Sequence, residues 1–178
     1  MAADVTERQS DLALVLARVE IDGAAHWLLR RHAKWGDWSL VGGHVEADER
    51  DDWMRTAIRE ANEELAPLVC NVDFTIEPLS PESSTWGPVA SRSAGGAMTT
   101  YRVRWYQARF LGDAAASLRR LSPDDFALVL ESEISDAEVV SSVARRLFEE
   151  TRAHVGSIPV AARVPAAAAS LRVALSVR

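Results

Sequence analysis

The stretch Leu40–Leu65, LVGGHVEADERDDWMRTAIREANEEL, joins a Gly pair to an acidic turn and then to a run with helical periodicity. From position 52 onward, apolar residues recur at spacings of four, three and four, at Met54, Ile58, Ala61 and Leu65. This spacing is typical of a helix that buries one stripe of its surface. We therefore build the rest of the chain around a strand, a turn and this helix.

The opposite side of the predicted helix carries three carboxylates, Glu60, Glu63 and Glu64. Residues three and four apart are neighbours on a helix surface, so these groups converge unless a cation separates them. A solvated acidic face is one interpretation, because surface charge is common. A magnesium site is the other, since the acidic turn over residues 46–52 adds further oxygen ligands and magnesium prefers carboxylate oxygens.

The residues of this stretch resemble the Nudix box. Its pattern is Gly, five residues, Glu, seven residues, then Arg-Glu-apolar-any-Glu-Glu-any-Gly-apolar. Gly43 and Glu49 have the spacing of the first two positions, and Arg59-Glu60-Ala61-Asn62-Glu63-Glu64 matches the second part in full.

The resemblance implies an α/β protein, an α/β/α sandwich with a mixed β-sheet between helices. It also implies a hydrolase that uses Mg²⁺, with Mn²⁺ as an alternative, to cleave the diphosphate of a nucleoside diphosphate linked to another group. By position, Glu60, Glu63, Glu64 and Gly43 would bind metal and Arg59 would brace the loop. One of these Glu side chains, or a carboxylate in the loop over residues 46–52, would act as the base.

Two departures from the box leave alternatives open. Nine residues, rather than seven, separate Glu49 from Arg59, so either the loop is longer or Asp51, which has the expected spacing, braces it. Ala66 and Pro67 occupy the last Gly and apolar positions, so the helix must end differently.

These departures keep two other functions in view. A domain that has lost catalysis would bind a nucleotide-like ligand as a regulator or interaction module. A structural or dimer-forming α/β domain would carry the acidic helix merely as a solvated face.

Composition predicts one compact domain. The chain has 178 residues and 48% hydrophobic content, enough for a single core. We assign 1–10 as a flexible N-terminus, 11–155 as the domain and 156–178 as a tail with unassigned packing. A net charge of -6 without a basic stripe argues against DNA or RNA binding.

A lone cysteine, Cys70, and an N-terminus without an apolar run favour a cytoplasmic location. No apolar run is long enough to span a membrane. The expected partner is a small nucleotide-type substrate, and the oligomeric state, including a homodimer, is left open.

Alternating and apolar runs predict the strands of the sheet. A hairpin is expected at Asp22-Gly23, with Ala24 and Ala25 lengthening its loop. The predicted strands are Leu12–Ile21, Trp27–Arg31, Ser39–Val41, Val69–Ile76, Thr99–Leu111 and Phe126–Ile134. A capping box at residues 135–138 predicts the start of a second helix, with Val139, Val140, Val143, Leu147 and Phe148 on its apolar stripe.

Substrate contacts are expected from the loops beside the box. Trp35 and Trp38 either stack on a base or pack in the protein, and His44 either lies near a phosphate or is structural. Arg102 and Arg104 share one face of a predicted strand, where they bind an anion or face solvent. Residues 77–98, rich in Pro, Gly and Ser, are interpreted as an irregular loop that is either a lid, a partner contact or disordered.

Overall fold

The computed structural model describes residues 8–80, 82–135, 140–151, 158–165 and 171–173. Its strands are β1 Arg8–Ile21, β2 Ala24–Arg31, β3 Trp38–Ser39, β4 Val41–His44, β5 Phe74–Pro78, β6 Ser84–Ala90, β7 Met98–Phe110, β8 Phe126–Leu130, β9 Ala162–Val164 and β10 Arg172–Val173. Its α-helices are α1 Trp53–Glu64, α2 Ala114–Arg119 and α3 Ser142–Thr151.

Strand β1 organises the sheet, because different parts of its length pair with four strands. It runs parallel to β7 over Arg8–Leu16 and antiparallel to β4 over Leu12–Val15. Further along, it pairs antiparallel with β2 over Ala17–Ile21 and parallel with β9 over Val19–Ile21. The sheet is therefore mixed, as predicted.

Successive β1 side chains enter two different cores. Ala13 and Val15 belong to the core that includes Ala57 and Ala61 of α1. Leu14 and Leu16 belong to the other core, which includes Leu147 of α3. Because side chains alternate across a strand, this places α1 and α3 on opposite faces of the sheet. The predicted α/β/α sandwich is confirmed.

The hairpin between β1 and β2 is tighter than predicted. Asp22 and Gly23 form a two-residue turn with φ of +48° and +82°, a conformation that Gly and Asp tolerate. Ala24 and Ala25 are already paired with Ile21 and Glu20. They extend the strand rather than the loop.

The prediction of a strand over Val69–Ile76 is wrong in its first half. Asn71 has φ of +66° and lies in a turn, and strand β5 begins only at Phe74. Val69 and Val72 are 48% and 69% exposed. The apparent alternation of polar and apolar residues comes from a turn followed by a strand, which periodicity alone does not separate.

The prediction of an irregular loop over residues 77–98 is also wrong in large part. Residues 84–90 form β6, which pairs antiparallel with β7. The register shifts between Trp86 and Val89, which accommodates Gly87 and Pro88 within the strand. A turn at residues 92–96 then joins the two strands.

The region before α3 differs from the prediction as well. Strand β8 ends at Leu130 and is followed by a 3-10 turn, so it is shorter than predicted. Val140 is not helical but forms a bridge with Trp38, and Ser141 Oγ accepts a hydrogen bond from Ala144 N at 3.2 Å as helix α3 begins. The predicted box residues 136–138 and Val139 lie outside the described residues.

Two short tail segments join the sheet. Strand β9 pairs with β1, and β10 pairs with β8. Among the described residues, no helix is long and apolar enough to cross a membrane.

Candidate active site

Helix α1 begins at a polar N-cap, and its buried face determines its orientation on the sheet. The Asp52 carboxylate accepts a hydrogen bond from Arg55 N at 3.3 Å, as an N-cap does. Trp53, Ala57 and Ala61 are buried, while Met54 is half-buried. The burial of this face turns the acidic side of the helix toward β4 and the preceding loop.

Glu49 is held deep in the loop that precedes α1. Arg59 donates to it twice, from Nε to Oε1 at 3.1 Å and from Nη2 to Oε2 at 3.0 Å. Thr56 Oγ1 donates to Oε2 at 2.8 Å. The residue is 2% exposed. Of the two carboxylates considered for the brace, Glu49 is therefore the one that Arg59 contacts, whereas Asp51 is exposed.

These contacts determine the electrostatics of the brace. The hydrogen bonds from Arg59 lower the pKa of Glu49 to about 2, with burial opposing them. The same bonds raise the pKa of Arg59 above its ordinary value. The longer spacing between Glu49 and Arg59 includes a turn at residues 50–51, where Asp52 N donates to Glu49 O at 2.9 Å, and Glu49 stays within hydrogen-bond distance of Arg59.

Glu60 lies between Arg59 and the Gly pair. Arg59 Nη1 donates to Glu60 Oε1 at 2.8 Å, and the side chain is 16% exposed. A Cβ on Gly43 would approach the Glu60 carboxylate within 2.6 to 2.9 Å. Glycine at this position therefore lets the carboxylate lie against the backbone of β4.

Glu64 is fixed by two donors. Arg30 Nη1 donates to its Oε1 at 2.7 Å, and Gly42 N donates to Oε2 at 2.9 Å. Burial raises the pKa of Glu64, while the bond from Gly42 and the charge of Arg30 oppose the increase. Sequence reasoning missed Arg30, because nothing in its strand pattern links it to a residue 34 positions away.

The three helix carboxylates are separated by cationic groups. Arg59 Nη1 lies 2.8 Å from Glu60 and 3.8 Å from Glu63, which is 61% exposed, and Arg30 engages Glu64. Among the described residues, no three His, Cys, Asp or Glu side chains are grouped closely enough to hold a metal as they lie.

The donor chemistry nevertheless fits a hard divalent cation. All candidate ligands are oxygens, and the missing Cβ of Gly43 leaves a cradle beside the Glu60 carboxylate. Glu60, Glu63 and Glu64 would hold such an ion, with the carbonyl of Gly43 as a further oxygen.

A cleft of about 300 Å³ opens beside Glu64. Its inner wall is apolar, from Leu12 and Leu14 of β1, and Arg30 lies with Glu64 at the acidic helix. Trp35 and His44 also line it. Its size is at the lower end of the range for small-molecule sites.

Two of the predicted substrate contacts, Trp35 and His44, therefore lie in the cleft. His44 Nδ1 is 2.8 Å from Ser10 Oγ, and burial lowers its pKa, assisted by the charge of Arg8. Trp38 does not line the cleft and packs instead against the core beneath α3.

Arg102 and Arg104 lie away from the cleft. Arg102 donates to both oxygens of Asp11, at 2.8 and 2.6 Å. The guanidinium of Arg104 lies 4.8 Å from the ring centroid of Trp53. Both side chains lie on the face of β7 opposite Tyr101, which lines the cleft. Arg102 and Arg104 therefore contact protein groups and do not line the cleft.

The chain matches the NUDIX domain family over residues 12–144. The chain belongs to this family. The match covers the brace, the three helix carboxylates and most of the cleft. No curated protein matches the sequence.

Solved structures with the Nudix fold resemble this chain at low identity. The C. elegans Ap4A hydrolase is 19% identical with a TM-score of 0.53, covering 80% of this chain and 98% of its own. The NUDIX domain of Shewanella oneidensis NrtR in complex with ADP ribose is 17% identical with a TM-score of 0.52, covering 87% and 94%. These likenesses establish the fold.

A third similar structure is NrtR from Shewanella oneidensis complexed with a 27mer DNA. It is 21% identical, has a TM-score of 0.55 and covers 82% of this chain and 62% of its own. The solved structures with this fold thus include an Ap4A hydrolase, a domain in complex with ADP ribose and a protein in complex with DNA. The absence of DNA or RNA binding in this chain stays a prediction.

Proposed function

We propose that this Nudix protein is a metal-dependent hydrolase that cleaves the diphosphate linkage of a nucleoside diphosphate derivative. The observation that carries the proposal is that Glu64 and Gly43 line the cleft, while the Glu60 carboxylate lies against Gly43 and is held there by Arg59. It combines oxygen ligands for a cation with a cleft of a size suited to a nucleotide.

In the proposed reaction, a water oxygen bonds to one phosphorus and the bridging P–O bond breaks. Glu49 and Arg59 keep the loop and helix in register, and one carboxylate among Glu60, Glu63 and Glu64 accepts the proton from the water. A bound divalent cation would offset phosphate charge and lower the pKa of the water. The apolar wall of the cleft excludes other water from the site.

The test is product release from ADP-ribose, dinucleoside polyphosphates, nucleotide sugars and nucleoside triphosphates with Mg²⁺ or Mn²⁺. The diagnostic variant is Glu64→Gln, which keeps the size of the side chain and removes its charge. Glu149→Gln, at an exposed position of α3, is the matched control. We expect turnover by the native chain and the control, and a loss of at least about a hundredfold in Glu64→Gln.

Metal binding is measured separately from turnover. A cation at 100 times its Kd should raise the free energy of unfolding by about 2.7 kcal/mol. This increase should shrink in Glu64→Gln and persist in Glu149→Gln. Unchanged thermal stability at millimolar Mg²⁺ and Mn²⁺, together with no turnover, would contradict the proposal.

A second candidate function is ligand binding without catalysis, as in a regulator. The observation that favours it is that Glu60 forms an ion pair with Arg59 and Glu64 forms one with Arg30, so two of the carboxylates are already paired within the protein. A regulator of this kind would bind a nucleotide derivative in the cleft and release no product with either metal.

A further inference from the structure

The end of the cleft made by the loop after β2 carries an indole with charged and aromatic neighbours. The rings of Trp35 and His32 are stacked, with centroids 3.9 Å apart. The guanidinium carbon of Arg92 lies 4.3 Å from the Trp35 ring centroid. Arg92 also donates to Asp37 Oδ2 at 2.8 Å. All four side chains line the cleft.

His32 and Trp35 belong to one turn that is closed by hydrogen bonds. His32 N donates to Asp37 O at 2.8 Å, Gly36 N donates to His32 O at 2.7 Å, and Lys34 N donates to His32 Nδ1 at 3.2 Å. The stacked imidazole is therefore a fixed part of the turn.

Arg92 reaches the indole from a different element. It lies in the turn between β6 and β7, and its side chain is 52% exposed. Exposed ion pairs and exposed cation–π contacts are individually weak. Arg92 is consequently displaced from Trp35 more easily than the stacked His32 ring.

The indole lines the same cleft as Glu64. Arg30, which contacts Glu64, lies two residues before His32 in the chain. Apolar side chains of Leu12, Leu14 and Leu40 line the cleft between the two ends.

We propose that the face of Trp35 covered by Arg92 is the nucleobase subsite, and that the base displaces the guanidinium when it binds. Stacked planes need about 3.5 Å between them, so the direct contact of Arg92 with the ring leaves no gap for a base. This inference rests on the proposed function to the extent that the ligand is a nucleotide. It adds that Arg92 competes with the ligand for the indole.

The proposal predicts that removing a charged residue from the cleft strengthens binding. Arg92→Ala should lower the Kd for a nucleotide by about threefold to tenfold, because the base no longer competes with one exposed cation–π contact and one exposed ion pair. If Arg92 instead held the ligand, for example through its phosphate, the same variant would bind more weakly.

The experiment compares AMP with ribose 5-phosphate by calorimetry, without metal. Neither probe contains a diphosphate, so binding is measured independently of turnover. Trp35→Ala should weaken AMP at least about fivefold, the loss expected for one stacked base, and leave ribose 5-phosphate unchanged. Arg119→Ala, an exposed arginine of α2, is the matched control for Arg92→Ala.

The outcomes separate the two proposals. Tighter AMP binding by Arg92→Ala, with no change for ribose 5-phosphate, supports the subsite. Weaker AMP binding by Arg92→Ala overturns it. Equal binding of AMP and ribose 5-phosphate, in the native chain and in Arg92→Ala alike, overturns it as well. If the chain hydrolyses nucleotides but fails this test, the proposed function stands and the nucleobase subsite does not. If it passes this test without hydrolysing nucleotides, the subsite stands and the proposed function does not.

Discussion

Replacing Glu49 by Gln removes the charge at the centre of the loop brace. The ionised carboxylate accepts hydrogen bonds from Arg59 and Thr56, and its pKa in the folded protein is about 2 against an ordinary value of 4.5. Because the folded pKa is lowered, the ionised group stabilises the fold above pH 4.5. This stabilisation is lost as pH falls from about 4.5 to about 2.

The magnitude follows from this pKa difference. At about 1.4 kcal/mol per pKa unit, ionised Glu49 contributes at most about 3.4 kcal/mol at pH 7 and about 1.4 kcal/mol at pH 3. Gln retains some hydrogen bonding, so we expect Glu49→Gln to cost about 2 to 3 kcal/mol at pH 7. For a chain of this length the melting temperature should fall by about 5 to 10 °C.

The assay is urea unfolding of the native chain and the variant at pH 7 and at the lowest pH that preserves the fold. Asp51→Asn is the matched control, since Asp51 is an exposed carboxylate two residues away. It should change the free energy of unfolding by no more than about 0.5 kcal/mol. An equal loss in Asp51→Asn, or a Glu49→Gln penalty that does not shrink at low pH, would refute the reasoning.

The Gly pair and His32 give further predictions. Gly43→Ala should reduce turnover at least about tenfold with a small change in melting temperature, because its Cβ meets the movable carboxylate of Glu60 at 2.6 Å. Gly42→Ala should instead lower the free energy of unfolding by about 2 kcal/mol or more, since its φ is +127° and its Cβ would meet the backbone oxygen of Ala13; equal melting temperatures of the two variants would contradict this distinction. Partial burial lowers the pKa of His32, so its NMR titration midpoint should lie below 6.5, and its protonation should destabilise the fold as pH falls below 6.5; a midpoint above 6.5 would count against the half-buried stack.

The long elements whose apolar residues form a stripe or a continuous run were predictable from sequence. Helix α1 was expected from position 52 to Leu65, and the structure has it at Trp53–Glu64. The predicted strands Leu12–Ile21 and Thr99–Leu111 correspond to β1 and β7. Each of these elements is long, and the packed structure buries most of its apolar residues, on one side of α1 and on both faces of β1, so the local pattern and the tertiary packing agree.

The unpredicted parts depend on partners distant in sequence. Strand β6 has Gly87 and Pro88 in its interior, and only its pairing with β7 across an irregular register makes it a strand. Arg30 and Arg92 acquire their roles through Glu64 and Asp37, which lie 34 and 55 positions away. A single sequence contains no local signal for contacts of this range.

One of the two departures from the Nudix box, at Ala66 and Pro67, falls at the end of α1 that is farther from the brace. After Leu65, whose N–H donates to Ala61 O, the chain leaves the helix and Asn62 Oδ1 accepts a hydrogen bond from Cys70 N at 2.7 Å. This side-chain contact fixes the helix exit that the box assigns to Gly. Glu60 keeps its contact with Arg59, one helical turn earlier. The substitutions at Ala66 and Pro67 thus alter how the helix ends and leave its carboxylates in place, which favours a hydrolase over a domain that has lost its site.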